Sequence, residues 1–467
     1  MSANIKLTYF NGRWIAEVTR FLLKYGNVEF EDCRIQQKDW SKIKPTVPFG
    51  TLPIYEEDGK VISQSVAIAR HVAKKVGLTG ATDWENLEID SIVDTINDLK
   101  KTIIGIFEEK DDKKKQKLKE THVTETIPFY LGKLETIAER NGGFLVAGKL
   151  TWADFFFTTT SDIFQVLLGE DVVRNYPYLV EVKENVLNLP EIKSWIDSRP
   201  EINCANFSYS QQLIMSLLKQ SLSSNITRNI LRDKKRAECS LFTNSYLITH
   251  ISRLQLYISA ILSQLSESSL DMTPSTKITY FDIKGLGEPI RLLLKYGQIE
   301  FEDIRISRED WPQIKPTTPF GQVPIYEENG KVIWQSLAIC RYLGRKVNLS
   351  GENEWEELEI DAVVDTYKDL SQKIGEYGRE TDPERKERLR EVAFEQIIPF
   401  YLERLDVIAE SNNGYLALKK LTWADIYFFT LSEGFSKMHS EIFEQYTNLV
   451  KVRENVQEIL QTKGVIE

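Results

Sequence analysis

Residues Asp310–Ser336 read DWPQIKPTTPFGQVPIYEENGKVIWQS, and Asp39–Ser65 read DWSKIKPTVPFGTLPIYEEDGKVISQS. Each stretch is a loop rich in Pro, Lys and Gly, then a short apolar strand. An acidic turn ending in Gly leads into a second strand, and Gln-Ser opens a helix. Two copies of so particular a segment mark an internal duplication. Outward from it, residues 5–80 align with 276–351 at an offset of 271, with 44 identities in 76 positions. The correspondence runs on through Trp84/Trp355, Asp98/Asp369, Pro128/Pro399 and Thr151/Thr422, then slips by one residue near Tyr176/Tyr446. The first copy continues through LPEIKSWIDSRP, and the second stops at Glu467.

Hydrophobic periodicity divides each copy again. Lys6–Phe10 reads as a strand, Ala16–Tyr25 as an amphipathic helix ended by Gly26, and Glu29–Ile35 as a second strand. Pro53–Tyr55 and Lys60–Ile62 flank an Asp-Gly turn and read as a hairpin. Ser65–Val76 reads as a helix with Ser at its start and Gly77 at its end. That order, β-α-β, a loop, then β-β-α, is a thioredoxin-like arrangement. After Trp84 the pattern turns to long helical periodicities without convincing strands. The expected fold is therefore α/β plus all-α, duplicated. The expected divisions are 1–79 and 275–350 thioredoxin-like, 80–200 and 351–467 all-helical, and 201–274 a connector.

Composition bounds the function. The net charge of −10 and pI near 5.3 argue against nucleic acid or an anionic membrane as partner. No run approaches the ~18 apolar residues of a spanning helix, and the N-terminus lacks the pattern of a secretory signal. Cys33, Cys204, Cys239 and Cys340 show no paired spacing, and four His complete the set, so neither a disulfide framework nor a metal site is expected. A reducing, cytoplasmic setting is the default. In the helical parts, Thr151-x-x-Asp154 and Thr422-x-x-Asp425 read as variant capping boxes with a structural role.

Residues 202–272 differ from both copies: no Gly, no Pro, fourteen Ser, and a net charge of +3. An amphipathic helix at Ile251–Leu265 beside the basic Arg232–Arg236 would suit docking or a membrane surface. The plainer readings are a poorly ordered connector, partly helical at most, or sequence wrongly retained by a gene model.

The chemistry-bearing residues recur in both copies. Tyr9 and Tyr280 sit late in the first strands. Trp40 and Lys44, with Trp311 and Lys315, share a loop. Leu52-Pro53 and Val323-Pro324 open a strand where a cis proline is tolerated. Gln64-Ser65 and Gln335-Ser336 stand where a helix begins, and free N–H groups there favour a carboxylate. Taken singly, each has a plain structural reading. Together they describe a site for an extended, carboxylate-bearing peptide with a phenol at one end.

The combination LTYF, DWxxIKPTxPFGxxPIYE, QSxAIxRYL, VDT and LTWAD resembles the sigma class of cytosolic glutathione transferases, insect-type members in particular. The resemblance covers about 1–200 and 275–467. It implies that Tyr9 and Tyr280 are catalytic, their hydroxyls stabilising the glutathione thiolate. It assigns Trp40, Lys44, Trp311 and Lys315 to the glycyl end of glutathione and Leu52, Pro53, Val323 and Pro324 to its cysteinyl backbone. Gln64, Ser65, Gln335 and Ser336 fall to the γ-glutamyl end. Asp98 and Asp369 resemble the aspartate that reaches across a dimer interface. The implied activity is conjugation of glutathione, the co-substrate, to a hydrophobic electrophile such as a lipid-peroxidation product. The alternatives are a non-enzymatic crystallin-like or glutathione-binding protein and a prostaglandin isomerase. Pairing is expected either as an internal pseudo-dimer or as a homodimer. Departures from the family pattern are Ile15 and Leu286 where some members carry Arg, and Trp14 where the second copy has Gly285. Thr51 stands opposite Gln322, and Asn97 and Lys368 argue against a carboxylate metal site at the interface.

Overall fold

The computed structural model describes residues 4–47, 49–109, 111–200, 275–438 and 442–467. The whole 202–272 segment, with Ile251–Leu265 and Arg232–Arg236, lies outside the described residues.

The first copy runs β1 (Ile5–Phe10), α1 (Glu17–Tyr25), β2 (Glu31–Ile35), α2 (Gln37–Ile43), β3 (Ile54–Glu57), β4 (Lys60–Ser63) and α3 (Ser65–Lys75). Then come α4 (Asp83–Glu108), α5 (Asp112–Thr121), α6 (Ile127–Arg140), α7 (Trp152–Leu168), α8 (Pro177–Leu187) and α9 (Pro190–Ser198). The second copy repeats this as β5 (Thr276–Phe281), α10 (Glu288–Tyr296), β6 (Glu302–Ile306), α11 (Trp311–Ile314), β7 (Ile325–Glu328), β8 (Lys331–Trp334) and α12 (Ser336–Lys346). It closes with α13 (Glu354–Arg379), α14 (Pro383–Val392), α15 (Ile398–Ser411), α16 (Trp423–Met438) and α17 (Thr447–Thr462).

Each copy holds a mixed four-stranded sheet, in the orders β2-β1-β3-β4 and β6-β5-β7-β8. β1 lies parallel to β2 and antiparallel to β3, the arrangement that a crossover helix followed by a hairpin produces. The hairpins turn at Asp58-Gly59 and Asn329-Gly330. All four residues have positive φ, as a type I′ turn demands.

Local chemistry shifts two expectations. Gln37–Ile43, expected as loop, is helical, and in the second copy Pro312 at the start of α11 suits the same helical turn. Gly26 ends α1 as expected but at φ −75°, and the left-handed step falls to Asn27 at φ 50°. Gly26 is required because a Cβ there would meet Val76 Cγ1 at 2.3 Å. Ser65 is not the cap of α3. Gln64 occupies that position without a capping side-chain bond.

The capping boxes form as expected. The Thr151 N–H and hydroxyl donate to Asp154 Oδ2 at 2.7 and 3.0 Å, and Leu145 N–H donates to Oδ1 at 2.8 Å. Thr422, Leu416 and Asp425 repeat the pattern.

The two copies pack face to face, α3 against α13 and α12 against α4. At the centre of that face two arginines and two aspartates form a closed ring. Arg70 donates to Asp90 at 2.7 Å and to Asp361 at 2.9 Å, while Arg341 donates to Asp361 at 2.7 Å and to Asp90 at 3.2 Å. All four residues are buried. Burial alone would raise the Asp90 carboxyl, but the flanking Arg70 and Arg341 outweigh it and hold the group below its ordinary value. Among the described residues no helix is long and apolar enough to cross a membrane.

Candidate functional site

The register of the sheet assembles the site. Thr8 pairs with Ile54 and Ile54 with Ser63, so the next residues, Tyr9, Pro53 and Gln64, line up along one edge. In the second copy Thr279, Ile325 and Trp334 put Tyr280, Pro324 and Gln335 in the same line. The Leu52–Pro53 and Val323–Pro324 peptides are cis. Helices α2 and α11 follow β2 and β6 at that same edge. They set Trp40 against Phe10 at a centroid distance of 6.2 Å, and Trp311 against Phe281 at 5.4 Å.

Tyr9 and Tyr280 are each 7% exposed. The Tyr280 hydroxyl accepts from the Leu286 N–H at 3.1 Å, and the Ile15 N–H stands in the same relation to Tyr9. Burial pushes both phenols above their ordinary value, so each stays protonated and available as a donor at neutral pH. Arg20 and Arg291 lie near the two rings, at 6.0 and 5.9 Å from their centroids.

Gln64 and Gln335 are held at φ 95° and 74°, a region that costs a non-glycine residue about 1–3 kcal/mol. The strain turns their amides toward the other copy. Gln64 Nε2 donates to Thr366 Oγ1 at 2.9 Å and reaches Asp369 Oδ2 at 3.4 Å. Gln335 Nε2 donates to Asp98 Oδ2 at 2.9 Å and to Thr95 Oγ1 at 3.3 Å. Ser65 and Ser336 follow as first residues of α3 and α12, whose starts carry no side-chain cap and leave backbone N–H groups pointing outward. The Tyr, Pro, Gln and Ser residues singled out from the sequence therefore fall along one edge of the sheet in each copy. Asp98 and Asp369 each sit with the glutamine of the opposite copy.

Several contributors were not singled out from the sequence. Thr95 and Thr366, the threonines of the VDT motif, anchor the glutamines, and their recurrence in both copies was the available signal. Phe400 of the second copy packs over the Lys44 ammonium at 4.3 Å. Tyr130 of the first accepts a hydrogen bond from Gln322 at 3.0 Å. A cleft of about 630 Å³ between the copies is lined by Asp98, Asp369, Lys101, Tyr130, Gln322 and Tyr401. Lys368 bonds Asp94 at 3.2 Å, putting an ammonium among the interface carboxylates.

Comparison with known proteins agrees with this layout. Residues 5–74 and 276–345 match the description "Glutathione S-transferase, N-terminal domain", and 97–199 and 368–463 match "Glutathione S-transferase, C-terminal domain". The chain belongs to the glutathione S-transferase family. A glutathione S-transferase of Anopheles gambiae is 47% identical over 195 residues, covering 42% of this chain and 96% of that protein. Glutathione S-transferase S1 of Drosophila melanogaster is 46% identical over 194 residues, covering 42% of this chain and 78% of that one. A hematopoietic prostaglandin D synthase of Gallus gallus is 40% identical over 198 residues, covering 42% of this chain and 98% of that one. This glutathione S-transferase chain thus carries two N-terminal domains, each with a four-stranded mixed sheet and each followed by a helical C-terminal domain.

Proposed function

We propose that the chain is a glutathione transferase of the sigma class, insect type, with two sites that each hold glutathione as co-substrate. The observation that carries this reading is the line of Tyr, cis-Pro and strained Gln at one sheet edge, closed by a carboxylate from the other copy. The open starts of α3 and α12 suit the γ-glutamyl carboxylate, and Asp369 or Asp98 suits the ammonium beside it. The backbone of Leu52 or Val323 pairs with the cysteinyl unit, and Trp40 and Lys44, or Trp311 and Lys315, take the glycyl end. Tyr9 or Tyr280 donates a hydrogen bond to the sulfur and so stabilises the thiolate, the nucleophilic form. The sulfur bonds to an electrophilic carbon. With an α,β-unsaturated aldehyde of lipid peroxidation, the thiol proton ends on the α-carbon. With an aryl chloride, chloride leaves with the bonding pair and the proton passes to solvent.

The divisions at 1–79, 80–200, 201–274, 275–350 and 351–467 belong to the same reading, as does internal pairing of the two copies within one chain. Its test is turnover of a neutral chlorodinitrobenzene. Removing the two donors together, Tyr9→Phe with Tyr280→Phe, is expected to lower kcat about a hundredfold, the usual loss for one donor at a developing charge, while glutathione binding survives. Wild-type protein that binds glutathione yet turns over no member of a broad electrophile panel would make it a non-enzymatic binding protein.

A further inference from the structure

The turn after the tyrosine carries opposite electrostatics in the two copies. Around the turn after Tyr9, four arginines (Arg13, Arg20, Arg34 and Arg199) face three carboxylates (Glu17, Asp32 and Asp162). Around the turn after Tyr280, three cations (Lys284, Arg291 and Arg305) face four carboxylates (Asp282, Glu288, Asp303 and Glu433). The local excess changes sign.

Arg13 makes the difference concrete. Its counterpart Lys284 is 58% exposed and pairs with Glu433 at 2.7 Å. The carboxylate at the matching position in the first copy, Asp162, lies 3.8 Å from Lys183 instead. Among the described residues no hydrogen bond or ion pair engages the Arg13 guanidinium, and its Nε is buried without a partner. Burial, and then the neighbouring Arg199 charge, push the group below its ordinary value, and Glu17 and Asp162 offset this only in part. Arg199 arrives just after α9, donates to Glu17 at 2.7 Å, and also keeps a buried, unpaired Nε. Among the described residues Glu288, the counterpart of Glu17, pairs with Arg291 and with no second arginine. The turn of the second copy instead exposes Ile283 (49%) and Leu286 (38%), an apolar lip beside Tyr280.

Arg13 itself is half-buried, but a guanidinium whose Nε is buried without a partner is costly unless an anion meets the group. Arg13 stands in the turn whose Ile15 N–H touches the Tyr9 hydroxyl, and so flanks the position of the sulfur in the transferase reading. We propose that the two sites divide electrophiles by charge: the Tyr9 site takes those bearing a carboxylate, held by Arg13, and the Tyr280 site takes neutral apolar ones. This rests on the transferase reading. The reaction is the same at both sites.

The test uses two single-site proteins, Tyr280→Phe, which keeps the first site, and Tyr9→Phe, which keeps the second. Each is assayed with a chlorodinitrobenzene and with a chlorodinitrobenzoate, which share a leaving group and differ by one carboxylate. The carboxylate-to-neutral ratio of kcat/KM is expected to be about tenfold higher in the first protein than in the second, the size of one charge-assisted hydrogen bond. Adding Arg13→Gln to the first protein is expected to remove that advantage, and Arg13→Lys to retain most of it, which separates lost charge from lost folding. Equal ratios in two single-site proteins that both turn over the neutral compound overturn the division and leave the transferase reading standing. No turnover of either compound by the wild-type chain overturns both.

Discussion

The turns after Tyr9 and Tyr280 share a backbone and differ in what it carries. Trp14 has φ 36° and its counterpart Gly285 has φ 43°, so both copies pass through the left-handed region at the same step. In the second copy glycine suits this twice over: the region costs other residues roughly 1–2 kcal/mol, and a Cβ at Gly285 would meet Tyr280 Oη at 2.7 Å. In the first copy a tryptophan accepts the same conformation and packs partly buried against the core. The sheet and its crossover dictate the turn, so it persists through duplication. The side chains in it are free to diverge, and there the two sites part.

The interface behaves in the opposite way. Arg70 and Arg341, Asp90 and Asp361 are the same residues in both copies, and each arginine uses an aspartate from each half. Taking out one member leaves buried charge without a partner, so Arg70→Ala is expected to lower unfolding stability by about 3–5 kcal/mol. Chemical denaturation of a chain that sediments at its own 54.0 kDa checks this. A change under about 1 kcal/mol, or sedimentation as a larger assembly, would break the contrast between a conserved interface and diverging turns. The pH dependence follows from Asp90. Its folded carboxyl is depressed below the ordinary ~3.9, so its share of stability is present above about pH 4 and is lost as the pH falls through the folded value.

The turns themselves give a smaller effect. Gly285→Ala places a methyl against the Tyr280 hydroxyl and forces the left-handed backbone on alanine. In the Tyr9→Phe protein it is expected to lower turnover about thirtyfold, in keeping with the cost of misplacing a reacting group by a fraction of an ångström. Trp14→Gly in the Tyr280→Phe protein is expected to raise turnover of the neutral electrophile a few-fold. Equal losses from both changes would mean that the two turns serve their tyrosines alike.

Much of this was legible in the sequence because it rests on local chemistry. Asp58-Gly59 and Asn329-Gly330 announce hairpins, Thr151 and Asp154 a helix start, and the apolar spacing of Ser65–Val76 a helix. Duplication helped, since a residue kept at the same offset in both copies stands out from chance. What stayed hidden depends on tertiary approach. Arg70 and Arg341 sit in helices that look amphipathic, and nothing local tells that the arginine faces a second arginine's aspartate from the other half. Gly26 reads as a helix stop, but its reason is Val76, fifty residues on. Gln64 and Gln335 read as residues before a helix, and neither their positive φ nor the bonds their amides make across the interface show in the local sequence. Arg13 differs from Lys284 by a conservative exchange in sequence, and what separates them is the ion pair that Lys284 makes with Glu433 and that Arg13 lacks, since Asp162 turns to Lys183.

The claim that joins these regions is that each site is completed by the other copy, and exchanging the aspartates tests it most directly. In the Tyr9→Phe protein, where only the Tyr280 site turns over, Asp98→Ala is expected to raise the KM for glutathione about tenfold, as loss of one charged partner would, and Asp369→Ala to leave it within twofold. In the Tyr280→Phe protein the two effects exchange places. A KM that rises instead with the aspartate of the same copy would contradict it.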